Sequence, residues 1–420
     1  MDTATELAFE GGIPTRSKPF PPWPQFEAEE IEAALSVVRS GRVNYWTGEE
    51  GRLFETEFAA FAGCKHAVAV ANGSVSLELA LSALGINSGD EVVVTSRSFV
   101  ASAACVVLRG ATPVFADVDR DSQNITAESI CPALSPRTKA IITVHLYGWD
   151  CDMDSFSAIA RERGIAVVED CAQAHGASYK GRPVGSLGDI ASFSFCQDKI
   201  MSTGGEGGMV VTNDDILWER VWSFKDHGKN RQLMNEARST GSFRWVHDSI
   251  GTNFRLTEMQ SAIGTVLLRK LGQAVEARRR NASMLTTEFS TIPGLRLTGP
   301  GPDIYHSYYK YCAFVRPEEL APHSDRDRIV EAIRAEGIPC LGRAGSCNNI
   351  YLEKAFAQYR LPRARLPVAK ELGETCLIFS VYPTMTDEDV SDTCSAVRKV
   401  MMRAVKGHIG SLGRVITAKV

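Results

Sequence analysis

The chain has 420 residues, of which 44% are hydrophobic and 23% charged, and its formal net charge is −4. This length exceeds what one small core needs and predicts a large domain accompanied by a smaller one. The net charge provides no general attraction to nucleic acid or to an anionic membrane, so we expect neither as a partner.

The first residues, MDTATELAFEGG, contain early acids and no apolar segment, which is not the pattern of a signal peptide. The most apolar stretch, 67–86, is interrupted by polar residues and is not expected to span a bilayer. The 11 cysteines contain no C-x-x-C pair, which argues against a disulfide framework and against a zinc knuckle. We therefore expect a protein of the reducing cytoplasm without a metal site.

Helical and strand patterns alternate from residue 26 to about residue 215. Helices are predicted over Phe26–Arg39, Arg52–Phe61, Val75–Leu84, Phe99–Leu108 and Met153–Arg163. Strands are predicted over Ala67–Ala71, Glu91–Thr95, Thr112–Ala116, Ala140–Val144, Ala166–Glu169, Ile190–Phe195 and Met209–Thr212. Short apolar runs separated by helices imply crossover connections, so the pattern predicts a mainly parallel sheet covered by helices on both faces.

The second part of the chain has a different pattern. A long helix is predicted from Leu256 toward Phe289, followed by the strand KYCAFV at 310–315, a helix near 325–336 and a last helix after Asp387. These elements are typical of a smaller α+β domain. We therefore divide the chain into an N-terminal segment (1–25), a large α/β domain (26–270) and a small C-terminal domain (271–420).

Two segments carry the strongest chemical signal, VVEDCAQAHGA at 167–177 and ASFSFCQDKIMSTGGEGGMV at 191–210. An aldehyde cofactor with a pyridine ring needs an amine that forms a Schiff base and an acid beside the ring nitrogen. Lys199 lies in a loop after a predicted strand and can supply the amine. Asp170 ends another buried strand and is suited to the ring nitrogen.

The same cofactor would need a phosphate site and a flat group against its ring. Gly73 and Ser74 lie at a strand-to-helix junction, where helix amides and a hydroxyl can hold phosphate. Phe99 follows the EVVVT strand and could stack on the ring. Each residue also has a plainer interpretation: Gly73 and Ser74 can start an ordinary helix, and an aromatic residue such as Phe99 usually packs in a core.

With these motifs in order, the sequence resembles the DegT/StrS-type family of pyridoxal 5′-phosphate (PLP)-dependent sugar aminotransferases. The matching segments are ANGSVSLELAL (71–81), EDCAQAHGA (169–177), FSFCQDKIMSTGGEGG (193–208), GTNFRLTEMQSAIG (251–264) and VYPTMTDEDV (381–390). The resemblance covers nearly the whole chain. It implies fold type I, with a sheet of the seven-stranded type between helices and a smaller α+β domain.

The resemblance also implies roles for single residues. Lys199 is the Schiff-base lysine and proton shuttle, Asp170 pairs with the pyridinium nitrogen, and Gln173 contacts the oxygen side of the ring. Phe99 occupies the stacking position. Phosphate contacts are implied for Gly73, Ser74 and Ser194.

Asn253 would contact the phosphate of the neighbouring subunit, so that a homodimer shares its active sites; alternatively, Asn253 only caps or turns the chain. His145 and His175 lie in matching segments without an assigned role. Arg255, Lys229 and Arg343 could meet a diphosphate or be solvated surface charges. The segment 337–356 departs from the commoner family versions, which leaves the acceptor contacts unassigned.

The reaction implied is transfer of an amino group from glutamate or glutamine to a keto sugar, in the first place a nucleotide-linked 3- or 4-keto-6-deoxy sugar. A keto-cyclitol aminotransferase would use the same machinery on an acceptor without a nucleotide. A sugar dehydratase of this family carries histidine where Lys199 stands, so the lysine argues against it. A non-catalytic PLP-binding regulator predicts cofactor binding without amino transfer.

Overall fold

A seven-stranded sheet lies at the centre of the longer, N-terminal part of the chain. The computed structural model describes residues 6–234, 245–342, 348–359 and 366–407. The strands are β1 His66–Val70, β2 Glu91–Thr95, β3 Thr112–Ala116, β4 Thr138–Val144, β5 Ala166–Asp170, β6 Ile190–Ser194 and β7 Gly208–Thr212. Their order across the sheet is β1-β7-β6-β5-β4-β2-β3. β7 is antiparallel to both neighbours and the other pairs are parallel, which confirms the predicted mainly parallel sheet.

The composition of the central strands follows from their burial. Every residue of β2 (EVVVT) and of β6 (IASFS) is buried. Parallel strands covered on both faces need apolar or small side chains at successive positions, because neither face meets water. The continuous apolar runs in the sequence therefore indicated this sheet correctly.

Helices cover the sheet, and most of their bounds lie within two residues of those predicted. In chain order they are α1 Ala28–Ser40, α2 Glu50–Ala62, α3 Gly73–Ala83, α4 Ala101–Leu108, α5 Ala127–Ile130, α6 Met153–Arg163 and α7 Asp215–Phe224. α1, α2 and α6 each end at a glycine with a left-handed backbone, Gly41, Gly63 and Gly164, with φ of 67°, 66° and 64°. Glycine adopts this conformation without steric cost, so these three residues set where the helices stop.

A long helix, α8 (Glu258–Phe289), connects the two parts of the chain. Leu268, Leu271 and Val275 belong to the core of the large sheet. Ala282, Leu285 and Phe289, further along the helix, belong to a second core. The predicted domain boundary at residue 270 thus falls inside a continuous helix, and the division of the chain at that residue stays a prediction.

The second core is built on a small antiparallel sheet. Its strands are β8 Leu295–Arg296, β9 Tyr311–Val315, β10 Cys340–Leu341 and β11 Cys376–Phe379, in the order β8-β9-β11-β10. The accompanying helices are α9 Arg326–Ala335, α10 Pro367–Thr375 and α11 Asp387–Ala404. Among the helices that the structure describes, none is long and apolar enough to cross a membrane.

The N-terminal segment is fixed to this small sheet and its helices by buried charges. The Arg16 guanidinium is almost fully buried and lies 2.6 Å from Asp389 and 2.7 Å from Asp392, both on α11. Glu336 accepts hydrogen bonds from the backbone of Ala8 (2.8 Å) and Thr15 (2.9 Å). These contacts fix the course of the N-terminal segment, so that its later residues lie near the edge of the large sheet.

Shorter strands complete the structure. Ser178–Tyr179, Arg182–Pro183 and Ile304–Tyr305 form a three-stranded sheet. Arg97–Ser98, just after β2, pairs with Asn348–Asn349 of the small C-terminal part. Asn348–Asn349, which belong to the segment that departs from the commoner family sequences, therefore lie beside the strand that leads to Phe99.

Candidate active site

The predicted site residues come from the carboxyl ends of neighbouring strands. β5 ends at Asp170, whose partner on β6 is Ser192, two residues before Ser194. β1 ends at Val70, just before Gly73. These strands run in the same direction, so their ends meet at one edge of the sheet, which is where ligands bind in folds of this kind.

Gly73 and Ser194 approach so closely that only glycine fits. A Cβ atom added to Gly73 would lie 2.5 Å from the Cβ of Ser194. Asn72 caps helix α3 by accepting a hydrogen bond from the amide of Val75 (3.0 Å). The first amides of a helix have no partner within it, so Gly73 and Ser74 begin α3 with donors suited to an anion.

Asp170 is buried and held by two donors. Its Oδ2 accepts a hydrogen bond from the hydroxyl of Ser102 (2.7 Å), and its Oδ1 accepts one from the amide of Ala172 (3.2 Å). Burial raises the pKa of the Asp170 carboxyl, while these two hydrogen bonds and the charge of Lys199 lower it in part. A cation placed against this carboxylate would complete its charge balance, which is what a protonated pyridine nitrogen provides.

Lys199 lies in the loop after β6, and only a tenth of its side chain is exposed. Its Nζ is 4.8 Å from the centre of the Tyr309 ring and 3.9 Å from Oδ1 of Asp198. The indole N–H of Trp23 donates a hydrogen bond to the Lys199 carbonyl (2.8 Å). The N-terminal segment and the loop before β9 therefore both help to position the lysine.

Gln173 and Ser194 are also buried at this edge. The Oε1 of Gln173 accepts a hydrogen bond from the amide of Tyr147 (3.0 Å), which fixes the orientation of its side chain. The hydroxyl of Ser194 accepts a long hydrogen bond from the amide of Cys196 (3.4 Å). Both side chains thus have defined positions next to Asp170 and Gly73.

Phe99 and Asn253 are exposed, as is Ser74 at the start of α3, whereas Lys199, Asp170, Gln173 and Ser194 are buried. Phe99 lies between the strand Arg97–Ser98 and helix α4, with 44% of its surface accessible, so it is not part of the core. Asn253 accepts a hydrogen bond from the amide of Arg255 (3.3 Å), and none joins it to another predicted site residue within the described ranges. The carbonyl of Phe254 accepts from the amide of Ala71 (2.8 Å), which places this segment beside the chain leading into α3.

Sequence reasoning missed Ser102, which touches Asp170 directly. The hydroxyl of Ser98 lies 2.9 Å from that of Ser102, which continues the hydrogen-bonded chain away from the carboxylate. Ser98 ends the short strand Arg97–Ser98, and Ser102 lies in the first turn of α4. No local pattern identifies Ser102 as a partner of Asp170, because the two residues are 68 positions apart in the sequence.

His145 and Glu169 form a buried pair on the other side of β5 from Asp170. Nε2 of His145 is 3.0 Å from Oε2 of Glu169. With Cys171 they place possible ligand atoms within 4.8 Å of one another. The Glu169 oxygens also accept hydrogen bonds from the amides of Gly185, Leu187 and Gly188, at 2.9, 2.7 and 2.7 Å. A carboxylate with this many donors acts as a scaffold between β4, β5 and the following loop.

Arg255 and Lys229 converge on one buried acid. Nη1 of Arg255 lies 2.7 Å and Nζ of Lys229 2.9 Å from the same Oδ1 of Asp226. Both cations are largely buried, so they are not independent solvated charges. Arg343, the third predicted cation, lies outside the described residues.

An amine at Lys199, a carboxylate at Asp170 and anion donors at Gly73, Ser74 and Ser194 together fit pyridoxal phosphate. This donor set, with the close approach of Gly73 to Ser194, defines the class of PLP-dependent enzymes built on a parallel sheet. When bound, the cofactor supplies an electron sink for the carbanion formed at a substrate carbon.

Comparison with known proteins gives the same class. The DegT/DnrJ/EryC1/StrS aminotransferase family profile matches residues 24–398. The L-glutamine:2-deoxy-scyllo-inosose aminotransferase of Streptoalloteichus tenebrarius is 35% identical, covering 94% of this chain and 97% of its own length. The GDP-perosamine synthase of Vibrio cholerae is 30% identical over 89% of this chain and 97% of its own.

A solved structure of the aminotransferase from Psychrobacter cryohalolentis is similar as well. It superposes with a TM-score of 0.88 at 47% identity, covering 91% of this chain and 98% of the other. The chain belongs to the DegT/DnrJ/EryC1/StrS aminotransferase family and is a PLP-dependent aminotransferase of fold type I.

Proposed function

We propose that this enzyme moves an amino group from glutamate or glutamine to a nucleotide-linked keto sugar of the 3- or 4-keto-6-deoxy type. The observation that carries the proposal is the common edge at which Lys199, Asp170 and the start of α3 meet. One relative is named for a GDP-linked amino sugar, and its length matches this chain almost completely. The paired cations Arg255 and Lys229 support an acceptor that carries a diphosphate.

In this proposal Lys199 has two tasks. Its Nζ holds the cofactor and, once displaced by the donor amine, accepts the proton from the donor's α-carbon. The limited exposure of its side chain restricts water at that nitrogen. Asp170 binds the ring nitrogen, and the hydroxyl of Ser102 fixes the carboxylate for this contact. Phosphate is bound by Gly73, Ser74 and Ser194.

Gln173 and Phe99 complete the proposed ring site. The hydrogen bond from Tyr147 orients Gln173 toward the oxygen side of the ring. Phe99, exposed at the same edge, has room to stack on the ring and lies next to the strand pair Arg97–Ser98 and Asn348–Asn349. Asn348–Asn349 therefore supply part of the acceptor side in this proposal.

A homodimer is part of the proposal, with Asn253 of each subunit contacting the phosphate in its neighbour. Asn253 is exposed and has no other hydrogen-bonding commitment within the described ranges than the amide of Arg255. Helix α1 carries an exposed apolar stripe, Ile31, Leu35 and Val38, with 41–53% of each residue accessible. Such a stripe on a water-soluble surface is typical of a protein interface.

We also propose that the reaction takes place in the cytoplasm. The ten cysteines within the described residues are all thiols, several of them buried. Thiols persist in a reducing compartment, whereas secreted proteins usually form disulfides.

A keto-cyclitol is the second candidate acceptor, because another relative is named for an inosose substrate and matches this chain over 94% of its length. The test is incubation with PLP, glutamate or glutamine, and a panel of keto-sugar nucleotides and keto-cyclitols, with products identified by mass. We expect an aminated nucleotide sugar. Amination of the cyclitols alone would transfer the assignment to the second candidate, and no amination of any acceptor would favour a PLP-binding regulator.

Nucleoside diphosphate binding separates the two acceptors independently. Arg255→Gln should weaken binding of the nucleoside diphosphate while leaving the cofactor's absorbance unchanged. Arg163→Gln, which removes an exposed ion pair with Glu162, is the matched control. Equal binding by both variants and the wild type would contradict the diphosphate role.

A further inference from the structure

A small pocket lies between the N-terminal segment and the second sheet, close to the loop that carries Lys199. Its volume is about 260 Å³, and its walls include the apolar side chains of Phe20, Leu341 and Ile378. Lys310 also lines it. Pockets for drug-sized ligands measure about 300–1,000 Å³, so this one suits a small metabolite and is too small for a nucleotide-linked sugar.

Lys310 is 8% exposed, and its contacts leave its charge unbalanced. Its Nζ donates a hydrogen bond to the hydroxyl of Tyr382 (2.6 Å) and lies 4.5 Å from the centre of that ring. No carboxylate within the described ranges forms an ion pair with it. Burying a cation without an opposite charge is costly, so the pocket favours an anionic occupant.

The surroundings of Lys310 are positive as well. Its Nζ is 5.1 Å from the centre of the Tyr309 ring, and that of Lys199 is 4.8 Å from the same point, so at most 9.9 Å separates the two nitrogens. Arg278 is fully buried, and in the described part of the structure its Nε and Nη2 have no hydrogen-bond partner. Asp198, which accepts a hydrogen bond from Tyr309, is one acid set against these three cations.

We propose that Lys310 binds a carboxylate of the amino donor and so brings the donor's α-carbon to Lys199. The inference rests on the proposed function, since it names the contact made by the donor. Glutamate and glutamine both carry a carboxylate, and the keto carbon of a sugar has none beside it. The apolar walls strengthen the ion pair because they lower the local dielectric. The hydroxyl of Ser380, which also lines the pocket, can donate to the same group.

If Lys310 binds the donor, its substitution should impair the half-reaction with the amino donor and leave the half-reaction with the acceptor unchanged. Lys310→Met removes the ammonium and keeps the length of the side chain, whereas Lys310→Arg keeps a cation. Lys370→Met, which changes a lysine whose side chain is 68% exposed, is the matched control. A charge-assisted hydrogen bond contributes about 1.5–3 kcal/mol, so Lys310→Met should weaken donor binding by about tenfold or more.

Two measurements test this. Glutarate, a dicarboxylate without an amine, is titrated calorimetrically into the PLP-loaded protein. Separately, the change in cofactor absorbance is followed at increasing L-glutamate without any acceptor. We expect Lys310→Met to weaken glutarate binding and to raise the glutamate concentration needed for half the maximal rate. Lys310→Arg should retain most of both, Lys370→Met should match the wild type, and the KM of the acceptor should not change.

The inference is overturned if Lys310→Met binds glutarate and uses glutamate as the wild type does, or if only the acceptor's KM rises. If the Lys310→Met variant fails to fold, Tyr382→Phe removes the hydroxyl that positions Lys310 and should weaken glutarate binding by a smaller factor; unchanged binding would again refute the contact. If no amino acid alters the absorbance of the wild type, the proposed function fails, while the glutarate titration still decides the role of Lys310.

Discussion

Asp150 offers a direct test of how burial and charge are balanced beneath the active site. The residue is buried just before helix α6, and in the described part of the structure neither of its carboxylate oxygens has a hydrogen-bond partner. Burial raises the pKa of Asp150 from 3.8 to about 7; the nearby charge of His145 lowers it in part, and the Glu169 carboxylate raises it further. Replacing it by asparagine removes the ionisation and nearly preserves the shape.

The direction of the pH effect follows from the two states. The folded protein keeps a proton on Asp150 up to about pH 7, whereas the unfolded chain releases it near 3.8. The unfolded state therefore binds fewer protons between these values, and the stability of the wild type falls as pH rises through that window. At about 1.4 kcal/mol per pH unit, the full loss above pH 7 is on the order of 4 kcal/mol.

Asp150→Asn should escape this loss. The free energy of unfolding is measured for both proteins by urea denaturation at a fixed protein concentration. The value for Asp150→Asn minus that for the wild type should increase by roughly 3 kcal/mol between pH 5 and pH 8. Asp154→Asn is the control, because Asp154 is exposed and paired with Lys180 and Arg182. The control should show no such gain. A difference between Asp150→Asn and the wild type that is equal at both pH values would refute the reasoning.

Further substitutions test the site itself. Lys199→Ala should abolish turnover and the absorbance of the bound cofactor, and near-normal activity would show that the lysine is misassigned. Asp170→Asn should lower the rate far more than the free energy of unfolding; a stable, cofactor-loaded variant with full activity would exclude its role. Ser102→Ala removes one hydrogen bond to Asp170 and should cost about tenfold in rate, since such bonds to charged groups contribute about 1.5–3 kcal/mol; rescue by Ser102→Thr would separate this effect from misfolding. Gly73→Ala should weaken PLP binding in an equilibrium titration, because its Cβ would lie 2.5 Å from that of Ser194, and wild-type affinity would contradict the close approach.

The large sheet was predictable because its strands are buried on both faces. Runs such as EVVVT and TPVFA match β2 and β3 residue for residue. Helix α7 was not predicted: its sequence, DILWERVWSF, mixes charged and aromatic residues, and only Val221 and Trp222 are buried. The strand CLIF was also missed, because it follows α10 directly and a short apolar run does not distinguish a strand from a helix end.

Some residues of the candidate site could likewise be predicted from the sequence, and others could not. Lys199, Asp170 and Gly73 could be predicted as candidates because each lies at a strand end or loop where an unusual residue type is informative. Trp23 and Ser102 could not, since their importance arises from contacts across 176 and 68 positions of sequence. Such contacts depend on how the chain folds back on itself, and no local pattern encodes them. A role that depends on a second subunit, such as the one proposed for Asn253, is still harder to predict, because the fold of a single chain does not show the contact.

Two adjacent acids of β5, Glu169 and Asp170, have pKa values shifted in opposite directions. Side chains alternate across a strand, so Glu169 and Asp170 point to opposite faces of β5. Burial alone would raise the pKa of Glu169, but His145 and backbone amides hold it below its ordinary value. Asp170 has two donors, and its pKa stays raised. The hydrogen-bonding needs of the Glu169 carboxylate are therefore met within the fold, whereas a cation brought by a ligand would stabilise the Asp170 carboxylate. The sequence presents both as an ED pair, and the number of donors that the fold places around each acid is what makes Asp170 the one proposed to bind the cofactor.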